Sequence, residues 1–371
     1  GYRRKERRET FPRKSWAIIC WEVSEKMSKA KKLVYILISF LFSVVIASAI
    51  IAFSGYSPSE AYSAMISGAF GSTYNLAQTI GTSIPLIFAG LAMAAGAKTG
   101  IFNIGIEGQI LMGALPAAIA GHYIKGIPAV LHIPLCILLA AVCGGLWALL
   151  AALIKNRLHI SEVIITIMLN YVALYLVEYL VNYPFKSEGM IVRTEEIQES
   201  AELAVLIPHT RLNAGIIIAL FLVVAFWFFF YRTKLGYELR ATGSNLKAAE
   251  TAGISNRKNI MISMFLSGAI AGIGGAVEVM GVQGYYISNM TTGYGFSGIA
   301  IAVMGGNEAL GTLASALLFG ALSAGSSSMN RTTNIPGEFI TVLQALIIIF
   351  VSTPGIILAV EKIIRRKKVA A

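Results

Sequence analysis

The sequence contains no aspartate; all 19 of its acidic residues are glutamate. Within this chain, that absence excludes aspartate-dependent nucleotide–Mg²⁺ sites, EF-hand calcium loops and aspartyl-phosphate chemistry. Charge of either sign is scarce. Only 13% of the 371 residues are charged, against about 25% in a soluble domain. Cysteine is scarce too. Cys20, Cys136 and Cys143 show no metal-ligand spacing, and the last two lie in apolar runs, where a thiol serves as a small core residue. The four histidines (His122, His132, His159 and His209) are scattered, which supports neither a metal site nor a catalytic base. No nucleophile–base pair stands out inside the apolar runs, which argues against an intramembrane enzyme.

What the sequence does have is hydrocarbon. Hydrophobic residues make up 56% of the chain, and several apolar runs reach the roughly 20 residues that cross a bilayer as a helix. They do not alternate, so a β-barrel is not expected. The fold class is an all-α polytopic membrane protein of about ten transmembrane helices, some short or broken. The spans are expected at 33–53, 76–96, 100–121, 128–153, 161–181, 213–231, 260–281, 295–306, 309–328 and 336–354. The second is expected to break at Pro85 and Gly90, as discontinuous helices do where they line a transport route. Residues 54–75 read as a semi-polar connection and 182–212 as a polar loop. The segment at 295–306 is too short to cross alone, so eight spans with a re-entrant pair is the alternative. Residues 27–365 are expected to form one membrane domain. It is preceded by a basic extension, 1–26, with Met27 as the expected natural start, and followed by a basic tail, 366–371.

Lysine and arginine set the orientation. With both termini in the cytoplasm, 25 of the 30 fall on inner segments and only Lys125, Lys186, Arg193, Arg211 and Arg331 on outer ones. The net charge of +11 is therefore read as positive charge held inside the cell rather than as a nucleic-acid surface. The densest inner segment is a polar island, 231–259, carrying Arg232, Lys234, Arg240, Lys247, Arg257 and Lys258 with Glu238 and Glu250. Its middle reads as one small helix over 245–252, capped by Asn245, favoured by Ala248 and Ala249, and stopped by Gly253.

Polar groups inside the runs are the candidate pathway residues. Asn103-Ile104-Gly105-Ile106-Glu107-Gly108-Gln109 is the densest cluster. Asn103 and Glu107 are four apart and are expected to share a helix face. An intramembrane carboxylate must face protein or water. Glu278 is a second one, followed by Gln283, Tyr285, Tyr286 and Asn289, whose rings and amides suit a planar polar ligand. Asn170, Tyr171 and Glu178 are weaker candidates of the same kind. Two apparent motifs fail. Gly96-Ala97-Lys98-Thr99 lacks the glycine–lysine adjacency of a phosphate loop, and Gly272-Ile273-Gly274-Gly275 has no βαβ unit around it and reads as helix packing.

These residues resemble a known family. The Asn103–Gln109 run is similar to the Asn-Ile-Gly-x-Glu-Gly-Gln signature of ABC importer permeases for branched-chain amino acids, sugars and nucleosides. Gly243-Ser244-Asn245-Leu246-Lys247-Ala248-Ala249-Glu250-Thr251-Ala252-Gly253-Ile254 resembles that family's cytoplasmic segment. Val277–Val282 and Gly293–Ala300 resemble its nucleoside (simple-sugar-like) branch, with Ser297 as a departure where an acidic residue is often found. The resemblance covers about 27–365. It implies a permease subunit in a bacterial cell membrane, paired with a second related permease, a cytoplasmic ABC ATPase and an extracellular binding lipoprotein. ATP–Mg²⁺ would be used by the ATPase, with no cofactor in this chain. The pathway residues would be Asn103, Glu107, Gln109, Asn170, Glu278, Gln283 and Tyr285. Gly243, Asn245, Ala248, Ala249, Glu250 and Gly253 would dock on the ATPase. The alternatives are a permease for sugars or branched-chain amino acids, and an ion-coupled carrier using Glu107 and Glu278.

Overall fold

A computed structural model of the chain describes residues 29–352 apart from 159, 289, 291, 292 and 334. The readings of 1–26, Met27, Asn289 and the tail fall outside the described residues. The helices run in the order α1 (Lys29–Phe53), α2 (Pro58–Phe70), α3 (Thr73–Lys98), α4 (Ile106–Tyr123), α5 (Ala129–Leu158), α6 (Glu162–Asn182), α7 (Gly215–Arg232), α8 (Lys234–Ser244), α9 (Leu246–Thr251), α10 (Asn256–Glu278), α11 (Tyr294–Met304), α12 (Ala309–Thr333) and α13 (Glu338–Ser352). A π-helical turn, Val279–Gln283, prolongs α10. Among the described residues β-pairing is limited to two isolated bridges, Arg193 with Ile287 and Val205 with Asn213. The all-helical class holds. Among the described residues, six helices are long and apolar enough to cross a membrane: α3, α5, α6, α7, α10 with its π turn, and α12. Shorter apolar stretches lie at Ile38–Phe53, Tyr294–Met304 and Glu338–Ile347.

The centre of the bundle is α3. From Ser83 to Gly96 every residue is buried, so this helix meets protein all round. The expected break at Pro85 does not occur, since α3 runs unbroken from Thr73 to Lys98 with Pro85 inside. Neighbouring helices hold it on every side, as packed membrane helices do for an internal proline. α10 packs beside it, between α4 and α5. The contact is made by small residues, as read for the glycine-rich run. A side chain on Gly268 or Gly272 would collide with the backbone of Gly144 or Ala140, so the helices touch main chain to main chain.

Two other segments hold a helix beyond those expected. The 54–75 connection contains a helix, α2, started by Pro58 at its first position, where proline loses no hydrogen bond. The 231–259 island holds the small helix where it was expected, as α9, and a further helix, α8, precedes it. Thr233 caps α8 by accepting a hydrogen bond from the Gly236 amide (3.0 Å). We call this end of the bundle the island end. The 183–214 segment covers the other. There Ile197 and Leu203 donate backbone bonds to Gly284 and Met280, and Gln198 to Gly121, tying the loop to the far ends of α10 and α4.

Candidate functional site

The chain leaves α3 at the island end and turns at Gly100, whose φ is +76°. It then runs back between helices without helical structure over 101–104, and α4 starts only at Ile106. Asn103 therefore precedes the helix instead of sharing a face with Glu107. Asn103 is fully buried and organises the turn. Its Nδ2 donates to Gln109 Oε1 (2.9 Å) and to Ser267 Oγ (2.8 Å), in the middle of α10. Its Oδ1 accepts from the Gly105 amide (2.9 Å) and Gln109 Nε2 (3.1 Å). Ser267 passes the link on to the Ala92 carbonyl of α3 (2.6 Å). From α6, Asn170 holds the other side, donating to the Ile104 carbonyl (2.8 Å) and accepting from the Gly108 amide (2.9 Å). Asn103, Gln109 and Asn170 thus pin the non-helical segment 101–104 beside the middle of α10, satisfying backbone that would otherwise be left without partners among packed helices.

Glu107 does something different. Its two carboxylate oxygens accept from the Gly293 amide (3.1 Å) and the Gly295 amide (2.6 Å), which are the first donors of α11. Glu107 also sits in the first turn of α4. One carboxylate therefore lies between two helix N-termini, each with amides that have no carbonyl partner inside their own helix and a positive dipole end. α11 is only 11 residues long, about 16 Å at 1.5 Å per residue. It runs from this junction to the island end, half the depth of a bilayer. Broken helices that meet at mid-depth are the architecture of membrane transport sites.

Glu278, in the last turn of α10, is 4% exposed, and the cation whose field reaches it is Arg211 of the covering loop. Gln283 and Tyr285 are half-buried beyond it, with the Arg193 guanidinium over the Tyr285 ring at 4.4 Å. The neighbouring Tyr286 is fully buried and its hydroxyl has no hydrogen-bond partner. Burial, and then the charges of Glu178 and Glu107, push that phenol above its ordinary range. The pathway candidates therefore divide into a mid-depth junction and a group towards the covering loop. Sequence reasoning gave Tyr286 no role beyond its aromatic neighbours.

At the island end, Asn245 caps α9, its Oδ1 accepting from the amides of Lys247 and Ala248 (both 3.1 Å). Gly253 ends the segment in the left-handed region, at φ +80°. Leu246, Lys247, Ala248 and Glu250 are exposed, whereas Ala249 is buried. Gly243 lies against the α3–α4 turn, where a side chain would strike the Lys98 carbonyl. A cluster that the sequence did not reveal joins three helix ends here. Lys98 Nζ contacts Glu308 Oε1 (2.6 Å) and donates to the Tyr231 hydroxyl (2.9 Å), and that hydroxyl donates to Glu308 (2.6 Å). Arg240 of α8 stacks on the Tyr231 ring at 4.7 Å. The three partners are 133, 210 and 77 positions apart, beyond any local pattern.

The chain is similar to known proteins. The family described as branched-chain amino acid transport system / permease component matches residues 75–352. The chain is 40% identical to the guanosine ABC transporter permease protein NupP of Bacillus subtilis, over 85% of this chain and 92% of that protein. It is 34% identical to the nucleoside ABC transporter permease protein NupB of Lactococcus lactis, over 89% and 93%. It is also 34% identical to the glucose ABC transporter permease protein TsgB13 of Haloferax volcanii, over 80% of each. The same two bacteria hold second, more distant relatives, NupQ at 25% and NupC at 27% identity. No solved structure matches the chain.

Proposed function

The chain belongs to the family of permease components of the branched-chain amino acid transport system, and from that premise we propose that it is the translocation subunit of an ATP-driven importer of nucleosides. The carrying observation is the 40% identity to a guanosine permease across 85% of the chain. The geometry supports the same reading: two helix starts and the non-helical segment 101–104 meet at mid-depth, where an alternating-access carrier holds its site. The chain works as a multi-pass membrane subunit that draws its energy from another protein. Its partners are a cytoplasmic ABC ATPase, an external binding lipoprotein and a second permease. NupP and NupB each share their bacterium with a more distant permease named for the same substrate, which favours a heterodimer.

Energy enters through α9. Its exposed Leu246, Ala248 and Glu250 form a small tip that fits a cleft of the ATPase. The positive charge of the island supports a cytoplasmic position for that tip and for both termini. α8 carries the movement inward, since Arg240 and Tyr231 lead from the island to Lys98 and Glu308. A glucose permease is the second reading, favoured by the 34% identity to TsgB13. Uptake of labelled guanosine, glucose and leucine by cells carrying the complete importer separates them. Guanosine uptake is expected, and glucose or leucine uptake without guanosine would overturn the proposal.

A further inference from the structure

Of the membrane-crossing helices, α6 carries a feature that the mid-depth junction does not explain. Tyr171, Tyr175, Tyr179 and Tyr183 recur every fourth residue and are 56, 65, 59 and 73% exposed. They form one ladder, about 18 Å from first to last at 1.5 Å per residue. Tyr179 and Tyr183 already lie ring to ring, with centroids 5.1 Å apart. Among the described residues, the hydroxyls of all four have no hydrogen-bond partner. Near a membrane surface this is ordinary, because tyrosine sits there with its hydroxyl in the headgroups. Tyr171 and Tyr175 are not near a surface. They lie in the middle of the 21-residue helix, level with Asn170 and the Glu107 junction. A phenol facing lipid tails at that depth has no partner for its hydroxyl. The exposed face of α7 shows what a lipid face looks like here: Ile217, Leu220, Phe221, Val224 and Phe228, without one hydroxyl.

We infer that the α6 ladder is a wall of the translocation pathway and that its rings stack the base of the passing nucleoside. Flat aromatic surfaces accept any base, because every base has a π face. Successive rings at one-turn spacing let a base pass from one to the next, while the unpaired hydroxyls stay in water. The half-buried Glu178 on the neighbouring edge, close enough to act on Tyr286, supplies an acceptor for sugar hydroxyls. This rests on the nucleoside reading above.

The test uses cells carrying the complete importer, with Cys20, Cys136 and Cys143 replaced by alanine. Tyr171→Cys and Tyr175→Cys are compared with Val224→Cys on α7. A water-soluble methanethiosulfonate is expected to label the first two and spare the third, and excess guanosine is expected to slow labelling about fivefold. Thiols at 171 and 175 that stay unlabelled, or that form disulfides with the second permease, would overturn the ladder. A Y171L/Y175L pair is expected to cut guanosine uptake about tenfold, and Y171F/Y175F to stay within about twofold. Equal losses in both would show that the rings do not act by stacking. Uptake by the unmodified chain is measured beside them. If that chain imports no guanosine, the nucleoside reading falls and takes the base-stacking role with it. If it imports guanosine while the thiols stay unlabelled, the ladder alone falls.

Discussion

Glu107 is the residue on which two helix starts depend. Its oxygens accept from the Gly293 and Gly295 amides, and bonds to a charged acceptor contribute about 1.5–3 kcal/mol each. Glu107→Gln keeps the volume and one acceptor oxygen but removes the charge and the second acceptor. We expect it to lower guanosine uptake about tenfold and to lower the melting temperature in detergent by several degrees; wild-type values for both would remove the clasp role. A second pair of adjacent residues separates docking from folding. Ala249 is buried and Ala248 is exposed. Ala249→Glu forces a carboxylate into a buried position, a loss of several kcal/mol, so the amount of protein in the membrane is expected to fall. Ala248→Glu is expected to leave that amount unchanged and to abolish the stimulation of ATP hydrolysis by loaded binding protein. Normal stimulation in Ala248→Glu would argue against docking through α9.

Helix positions were readable because hydrophobic run length and positive charge are local signals, and α5, α6, α7 and α12 fall within a few residues of where those signals put them. The elements at the site were harder to read. Pro85 looked like a break because sequence shows the lost amide but not the neighbours that enclose it. Asn103 looked helical because a four-residue spacing is the same in a helix and in a strand that turns into one. What decides there is Ser267, 164 residues away. The Lys98–Glu308–Tyr231 cluster was invisible for the same reason. Its coupling is measurable at this scale. Lys98 is 13% and Glu308 50% exposed at their side chains, so screening holds the pair to about 1 kcal/mol. Single K98E and E308K variants are each expected to reduce uptake, and the K98E/E308K double to recover a substantial part of it. A double variant as poor as the worse single would show that the contact does not join α3 to α12. The α10 contact is less forgiving. Gly272→Val drives a branched side chain into the Ala140 carbonyl, and overpacking of this kind costs about 1–3 kcal/mol or more. Loss of folded protein is the expected outcome, read by detergent melting.

The whole molecule raises the question of its driving force, and two arrangements in the structure point in different directions. Buried Glu278, on which the charge of Arg211 acts, and Glu107 are the groups that an ion-coupled carrier would use. The island, by contrast, is a capped helix with an exposed tip, joined through α8 to three helix ends, and this is the form of a lever moved by another protein. The ion reading requires the carboxylates to exchange protons with water during each cycle. Glu107 is already engaged by two amides, which hold it in place. The lever reading requires only that α8 and the ends of α3, α7 and α12 move together, and the Lys98–Tyr231–Glu308 contacts supply that connection. Rigid tilting of helices about such contacts is an established route to alternating access. In proteoliposomes holding the complete importer, with ATP on the island side, guanosine uptake is expected to stop with vanadate and to continue with a protonophore. Uptake that stops with the protonophore while ATP is maintained would transfer the driving role to Glu107 and Glu278 and reduce the island to a surface helix.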